Sequence, residues 1–252
     1  MNANLRTRIQ AGETLFGLFL DLGSPLSAEL CGVAGYDWLL LDLEHGALTE
    51  ADLVAHLLAV EVTGTAALVR TQSAERIRVG RALDSGAAGV MLPRIESAAA
   101  AAEAVSYLGY PPDGIRGVAT RTRGAGLGSR GHAQMRTVND QITGIIQVES
   151  PGALRDADAI AALPGADVLF VGPTDLTHSL GIPGQFDHPD YQAALRTVVA
   201  ACAAHGKAPG ILLYDLATLP AHREMGFRFI GLGADGSLVA QGARATLAIA
   251  RA

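Results

Sequence analysis

Trp38-Leu-Leu-Leu-Asp42-Leu-Glu44-His45-Gly46 is an apolar run that closes on three ionisable residues and a glycine, and the stretch after it, Thr49–Val62, has helical periodicity. One strand followed by one helix is the reading of this unit, and the same pattern recurs along the chain. The strands are expected at Leu15–Leu20, Trp38–Leu43, Ala66–Arg70, Gly89–Leu92, Ile145–Val148, Val168–Val171, Gly210–Leu213 and Phe229–Leu232. The helices are expected at Ser24–Ala34, Thr49–Val62, Ala74–Asp84, Ser97–Leu108, Gly152–Leu163, Pro189–His205, Leu216–Glu224 and Gly236–Ala250. Ser24 before Pro25, Thr49 before Glu50 and Asp52, and Ser73 before Glu75 are the expected helix starts. Eight such pairs in 252 residues predict a (β/α)8 TIM barrel, with a doubly wound open sheet as the alternative arrangement. No repeat or low-complexity linker divides the chain, so residues 1–252 read as one domain. Tyr110–Gln141 breaks the rhythm as a long segment rich in Gly and Arg, carrying Arg116, Arg121, Arg123, Arg130 and Arg136.

Composition excludes several classes of function. A hydrophobic fraction of 49%, a charged fraction of 17% and a formal charge of −6 describe an acidic globular chain, without the basic run that a nucleic-acid binder needs. No stretch of about 18 uncharged apolar residues predicts a membrane span, and no apolar segment follows Arg6 and Arg8 as an export signal would require. Cys31 and Cys202 lie far apart with no ligand spacing around them, which predicts neither a disulfide nor a thiolate metal site and fits a reducing cytoplasm. With no His nearby, neither reads as a nucleophile. Lys207 is the only lysine, so any Schiff-base chemistry must use it. It precedes the seventh strand and belongs to the stability face of a barrel, which disfavours that chemistry.

Active sites of such barrels form at the C-terminal strand ends, and the polar residues there converge. Strand two ends at Asp42, Glu44 and His45, strand three at Arg70, strand five at Gln147 and Glu149, and strand six at Gly172-Pro173-Thr174-Asp175. Glu149 and Asp175 follow consecutive strands and would hold a hard divalent cation such as Mg or Mn; the plainer alternative is that Asp175 caps the next helix. His45 among carboxylates suits a general base, against the alternative of a backbone-satisfied core histidine. Arg70, set behind Ala66-Ala67-Leu68-Val69, suits an oxyanion beside a metal better than a surface salt bridge. Gly231-Leu232-Gly233, leading into a helix near Gly236, is a weak phosphate-site signal.

As a set, Asp42-Leu-Glu-His45-Gly, Arg70, Gly89-Val-Met-Leu-Pro-Arg94, Gly114-Ile-Arg-Gly-Val118, Gln147-Val-Glu149, Val171-Gly-Pro-Thr-Asp-Leu176 and Gly206-Lys-Ala-Pro-Gly-Ile211 resemble the HpcH/HpaI aldolases, metal-dependent enzymes of the pyruvate/phosphoenolpyruvate barrel superfamily. The likeness spans nearly the whole chain. It implies a class II aldehyde-lyase that cleaves 4-hydroxy-2-oxo acids to pyruvate, or a 3-substituted pyruvate such as hydroxypyruvate, plus an aldehyde, as in aromatic catabolism. By position it implies Glu149 and Asp175 as ligands of a divalent cation (Mg, Mn, Co or similar). Gln147, Thr174 and Asp175, with Gly172 and Leu212, would contact substrate. His45, in the Asp42 motif, would be the base, Arg70 the enolate-stabilising cation, and Asp84 a carboxylate that makes His45 more basic. From spacing alone, Asp84 is simply the end of the third helix. The resemblance also implies a homohexamer built as a trimer of dimers, its last helix packing on a neighbouring subunit. The chain departs from the family at Thr120–Ser129, where an Ala-Ser-Arg-Trp-like stretch is usual and which is expected to border the aldehyde side, and at Tyr214-Asp215. An acyl-CoA lyase of the malyl- or citramalyl-CoA kind and a phosphosugar isomerase or epimerase are the alternative activities.

Overall fold

Eight parallel strands, β1 (Leu15–Leu20), β2 (Trp38–Asp42), β3 (Ala66–Arg70), β4 (Gly89–Leu92), β5 (Thr143–Val148), β6 (Val168–Val171), β7 (Ala208–Leu212) and β8 (Phe229–Ala234), pair in sequence order in a computed structural model that describes residues 4–252. β8 returns to β1, with Leu15 opposite Phe229, so the sheet is a closed barrel and the open-sheet alternative falls. Helix α1 (Leu5–Gln10) precedes the barrel; α2 (Pro25–Val33), α3 (Leu53–Glu61), α4 (Arg76–Asp84) and α5 (Ala98–Ser106) follow the first four strands. After β5 come α6 (Pro151–Arg155) and α7 (Ala157–Ala161), after β6 come α8 (Pro173–Ser179) and α9 (Pro189–His205), and after β7 and β8 come α10 (Leu219–Met225) and α11 (Asp235–Arg251).

Side chains alternate between two cores because the strand period is two. Leu39, Leu41, Val69, Val90, Ile146, Val148 and Leu169 face the helices, whereas Phe19, Trp38, Leu40, Leu68, Met91, Ile145, Phe170 and Phe229 fill the barrel. Inside, Trp38 stacks on Phe229 with ring centres 4.4 Å apart, and Phe170 meets both rings edge-on. Gly17 makes room for this packing, since a Cβ there would lie 1.9 Å from the Trp38 ring. One step of the same alternation beyond Leu40, Leu68 and Ile145 puts Asp42, Arg70 and Gln147 inside the upper end of the barrel, and a second step adds Glu149.

The differences from expectation have local causes. Leu5 and Ile9 bury one face of α1, an element not anticipated, against the interior cluster. The helix expected over Gly152–Leu163 is two short ones, because Asp156 leaves helical geometry and its carboxylate accepts the Ala98 N–H at 2.8 Å at the start of α5. The short α8 was also unexpected; its first residue is Pro173, whose missing N–H costs nothing in a first turn. Ser24 caps α2 through the Ser27 N–H, and Thr49 forms a capping box with Asp52 at the 3-10 turn before α3. Ser73 does not cap; α4 starts after Glu75.

The Tyr110–Gln141 segment contains two 3-10 stretches, Arg123–Ala125 and His132–Gln141. Asn139 brackets Tyr110 by donating to its carbonyl at 3.0 Å and accepting its N–H at 2.8 Å. Arg123 and Arg130 line a cavity of about 570 Å³ together with Leu5, Glu61 and Gly86, at the N-terminal end of the barrel. Within one chain this part of the segment is therefore remote from the strand ends it was expected to border. α11 buries only Asp235 and leaves Val239, Leu247 and Ile249 exposed, Ile249 by 79%. No helix among the described residues is long and apolar enough to cross a membrane.

Candidate active site

Asp42 and Arg70 are register partners at the ends of β2 and β3. Arg70 donates from Nε to Asp42 Oδ1 at 2.9 Å and from Nη2 to Oδ2 at 2.6 Å, a bidentate pair whose members are both buried. Its guanidinium lies over the Phe19 ring at 5.3 Å, and Glu44 Oε2 stands 3.4 Å from Nε. Burial pulls the Arg70 pKa down, but the bond and charge of Asp42 outweigh it, so the net shift is upward and the group stays a cation. Asp42 Oδ1 also accepts the N–H groups of Glu44 at 3.1 Å and His45 at 3.3 Å, which fixes the turn that carries the histidine. His45 is 62% exposed and its Nε2 lies 3.9 Å from Glu44 Oε2. The core-histidine alternative is thereby excluded, and the imidazole stands at the mouth of the barrel.

Across the barrel Glu149 is 8% exposed. Its Oε1 accepts the Arg94 N–H at 2.8 Å and its Oε2 the Gln147 side-chain amide at 2.5 Å. Burial pushes its pKa up, and the charges of Asp175 and Glu44 push the same way. Burial likewise raises Glu44. Gly172 faces this pair closely: a Cβ there would lie 2.9 Å from both Gln147 Nε2 and Glu149 Oε2. Thr174 and Asp175 sit exposed in the first turn of α8, where Gly172 is the cap residue and Asp175 makes no capping bond. Leu212 is half-buried at the end of β7.

This donor set fits a hard divalent cation. Glu149 and Asp175 repel each other, Gln147 Oε1 is buried without a hydrogen-bond partner, and no group of three or more His, Cys, Asp or Glu among the described residues could enclose an ion. Two carboxylates that leave positions open for water and substrate oxygens could hold a Mg- or Mn-type cation, and could not form a closed structural site.

Asp84 is not near these groups. It ends α4 at the N-terminal face of the barrel, where its Oδ1 accepts from Arg116 Nη2 at 2.7 Å, while His45 stands at the C-terminal face. Within one chain Asp84 makes no contact that would act on His45. Lys207 donates to the Leu163 carbonyl at 3.2 Å, away from the site as its position before β7 predicts. The start of α11 offers no phosphate cradle, because the Gly236 N–H is taken by Asp21 Oδ1 at 3.1 Å and Asp235 Oδ1 at 2.9 Å. Asp235 also accepts from the Asp21 N–H and from Ser27 Oγ, at 2.8 and 2.7 Å, so two carboxylates meet where β1 and β8 close. Sequence reasoning missed this pair; Asp21, directly after the β1 run, was the one available signal. It also gave Arg94 no role.

The sequence profile described as HpcH/HpaI aldolase/citrate lyase matches residues 15–242. A hydroxypyruvate/pyruvate aldolase of Paraburkholderia phytofirmans is 45% identical over 92% of this chain and 91% of its own length. A 4-hydroxy-2-oxo-heptane-1,7-dioate aldolase of Salmonella typhimurium is 34% identical over 98% of this chain and 94% of its own. The crystal structure of a family protein from Burkholderia cenocepacia superposes with a TM-score of 0.94 at 40% identity, covering 99% of this chain and all of that one. With the barrel, the strand-end carboxylates and the profile match in agreement, this chain belongs to the HpcH/HpaI aldolase/citrate lyase family.

Proposed function

We propose that this chain is a divalent-metal-dependent aldolase that reversibly cleaves a 4-hydroxy-2-oxo acid to pyruvate, or a 3-substituted pyruvate such as hydroxypyruvate, and an aldehyde. The observation that carries the reading is the placement of Glu149 and Asp175 on the rim shared with Arg70 and His45. Relatives named as aldolases of pyruvate and hydroxypyruvate support it.

Glu149 and Asp175 would hold the ion, and Gln147 Oε1, still unpartnered, would accept from a water or hydroxyl beside it. Mg or Mn held there supplies Lewis-acid polarisation of the keto oxygen of the 2-oxo acid. His45, exposed at the mouth, takes the proton of the 4-hydroxyl. The C3–C4 bond then breaks, its electron pair passing to the C2–C3 unit as the enolate of pyruvate, while the C4–O unit leaves as the aldehyde. Arg70 commits Nε and Nη2 to Asp42 and keeps Nη1 for the developing oxyanion, in a site dry enough for that contact to count. Asp42 orients both partners, holding Arg70 by its side chain and the His45 turn by accepting its N–H.

Asp84 can act on His45 only from a second copy, since the two lie at opposite ends of one barrel. The proposed oligomer, a hexamer of three dimers with α11 seated on a neighbour, and the proposed role of Asp84 therefore stand together. The exposed apolar residues of α11 support that packing. Free Cys31 and Cys202 suit a cytoplasmic setting. The isomerase alternative loses its support with the two carboxylates on the α11 start, which would repel a phosphate. The acyl-CoA alternative has no basic cluster at the strand ends to favour it.

The test is exchange of the methyl protons of pyruvate into deuterated water, followed by proton NMR on chelator-treated protein and again with Mg or Mn. Metal-dependent exchange, lost in Glu149→Ala and Asp175→Ala, is the expected result. Exchange that persists without metal or in both variants overturns the reading.

A further inference from the structure

Among the described residues Arg94 is one of two non-glycine residues with positive φ, at 56°. For an L residue this backbone costs roughly 1–2 kcal/mol, and such strain persists where the surroundings hold it in place. The surroundings are clear here. On one side the Arg94 N–H donates to Glu149 Oε1 at 2.8 Å; on the other the Ile95 carbonyl accepts from Ser150 Oγ at 3.2 Å. Pro93 and Ile95 are buried, and Arg94 between them is exposed. The loop after β4 is thus fastened to the end of β5 on both sides of a residue whose side chain is left at the mouth of the site.

That side chain makes no hydrogen bond or ion pair among the described residues. The contrast with Arg70 is informative, because Arg70 is held by Asp42 and Glu44 and has a fixed position. Arg94 carries an uncommitted cation on a residue whose backbone N–H is bonded to a carboxylate of the candidate site, and its guanidinium reaches roughly 7 Å from its Cα by ordinary bond lengths. A planar cation free at such a place is suited to bidentate capture of a carboxylate. The 2-oxo acid half of the substrate already has Glu149, Asp175 and Arg70 around it, so the group left for Arg94 belongs to the other half.

We propose that Arg94 is a substrate-specificity residue that binds a carboxylate on the aldehyde half, so that the enzyme prefers acidic aldehydes to uncharged ones of the same length. This rests on the aldolase reading above. The strained backbone has a stated purpose: it turns the N–H onto Glu149 and presents the side chain to the acceptor from the same residue.

The experiment measures kcat/KM for addition of pyruvate to glyoxylate against acetaldehyde, and to succinic semialdehyde against butanal, with Mg or Mn present. Wild type is expected to favour the acidic member of at least one pair. Arg94→Gly, which suits the left-handed backbone and keeps the N–H, is expected to lower that preference about ten- to a hundredfold, and Arg94→Lys to restore part of it. A ratio unchanged in Arg94→Gly, or equal losses with both aldehydes, overturns the inference and leaves Arg94 as a support of Glu149. Wild-type protein that exchanges pyruvate protons yet shows no acid preference also overturns it, while absence of metal-dependent exchange in wild type sinks the aldolase reading instead.

Discussion

Gly172→Ala probes the site through packing alone, without removing a charged group. Gly172 has φ −91° and ψ 95°, which alanine adopts freely, so backbone strain plays no part. The added Cβ would stand 2.9 Å from Gln147 Nε2 and from Glu149 Oε2, and 3.4 Å from Glu149 Cβ. Ordinary contact needs about 3.5 Å or more, so both polar groups must retreat by roughly half an ångström. They have little room: Gln147 is 2% exposed, Glu149 8%, and Glu149 is tied to the Arg94 N–H. Overpacking of this kind costs about 1–3 kcal/mol, which for a chain of this size lowers Tm by roughly 2–12 °C. The displacement also moves a proposed metal ligand, and kcat/KM for retro-aldol cleavage should fall about ten- to a hundredfold with a weaker apparent affinity for Mg. Calorimetry, a Mg titration and initial rates read all three quantities. Gly131→Ala, where a Cβ meets nothing within 4 Å, is the matched control. Wild-type rates and Mg affinity in Gly172→Ala would refute the reasoning, since the Gln147–Glu149 face would then not be where the chemistry happens.

Removing Asp42 as Asp42→Ala leaves the buried Arg70 cation with Glu44 alone at 3.4 Å, and unfolding free energy should drop by about 3 kcal/mol or more, checked by denaturant titration. Arg70→Ala should lower kcat about 100- to 1,000-fold with substrate binding less affected, read from steady-state rates. Burial first, and then the bond and charge of Asp235, raise the Asp21 pKa to about 6; a carboxylate raised in the folded state stabilises below its unfolded pKa, and that stability is lost as pH rises through about 6. Tm should therefore fall from about pH 4 to about pH 6 in wild type, level off above that, and vary less in Asp21→Asn, as scanning calorimetry would show. If Asp84 serves His45 of another copy, mixing His45→Ala with Asp84→Ala, refolded together, should recover activity that neither has alone.

The barrel and the placement of most candidate site residues at its rim were legible because they follow from local period. In β2 the alternation that buries Trp38 and Leu40 inside carries Asp42 inside as well, and the same holds for Ile145 and Gln147 in β5 and for Glu149 directly after it. What the period could not show is contact between distant segments. The break at Asp156 exists because its carboxylate is needed at Ala98, and the Asp21–Asp235 pair joins positions 214 residues apart. Asp84 is instructive in another way. Spacing alone made it the end of a helix, which it is, and the catalytic role implied by resemblance requires a partner that no single-chain period encodes.

The seam where β1 meets β8, locked by Asp235 on the Asp21 N–H, has a consequence for synthesis on the ribosome. β1 is made near the start of the chain and its second neighbour almost at the end. At about 5–20 residues per second, the 214 residues between the two locking aspartates take roughly 10–40 s to translate. For that time one edge of β1, with its Leu-Phe-Gly-Leu-Phe-Leu sequence, has no strand to pair with and is the part of the nascent chain most open to capture by another. Closure is then the last event of folding, and substitutions at the seam should reduce the yield of folded protein in cells more than they reduce the stability of molecules that have already closed.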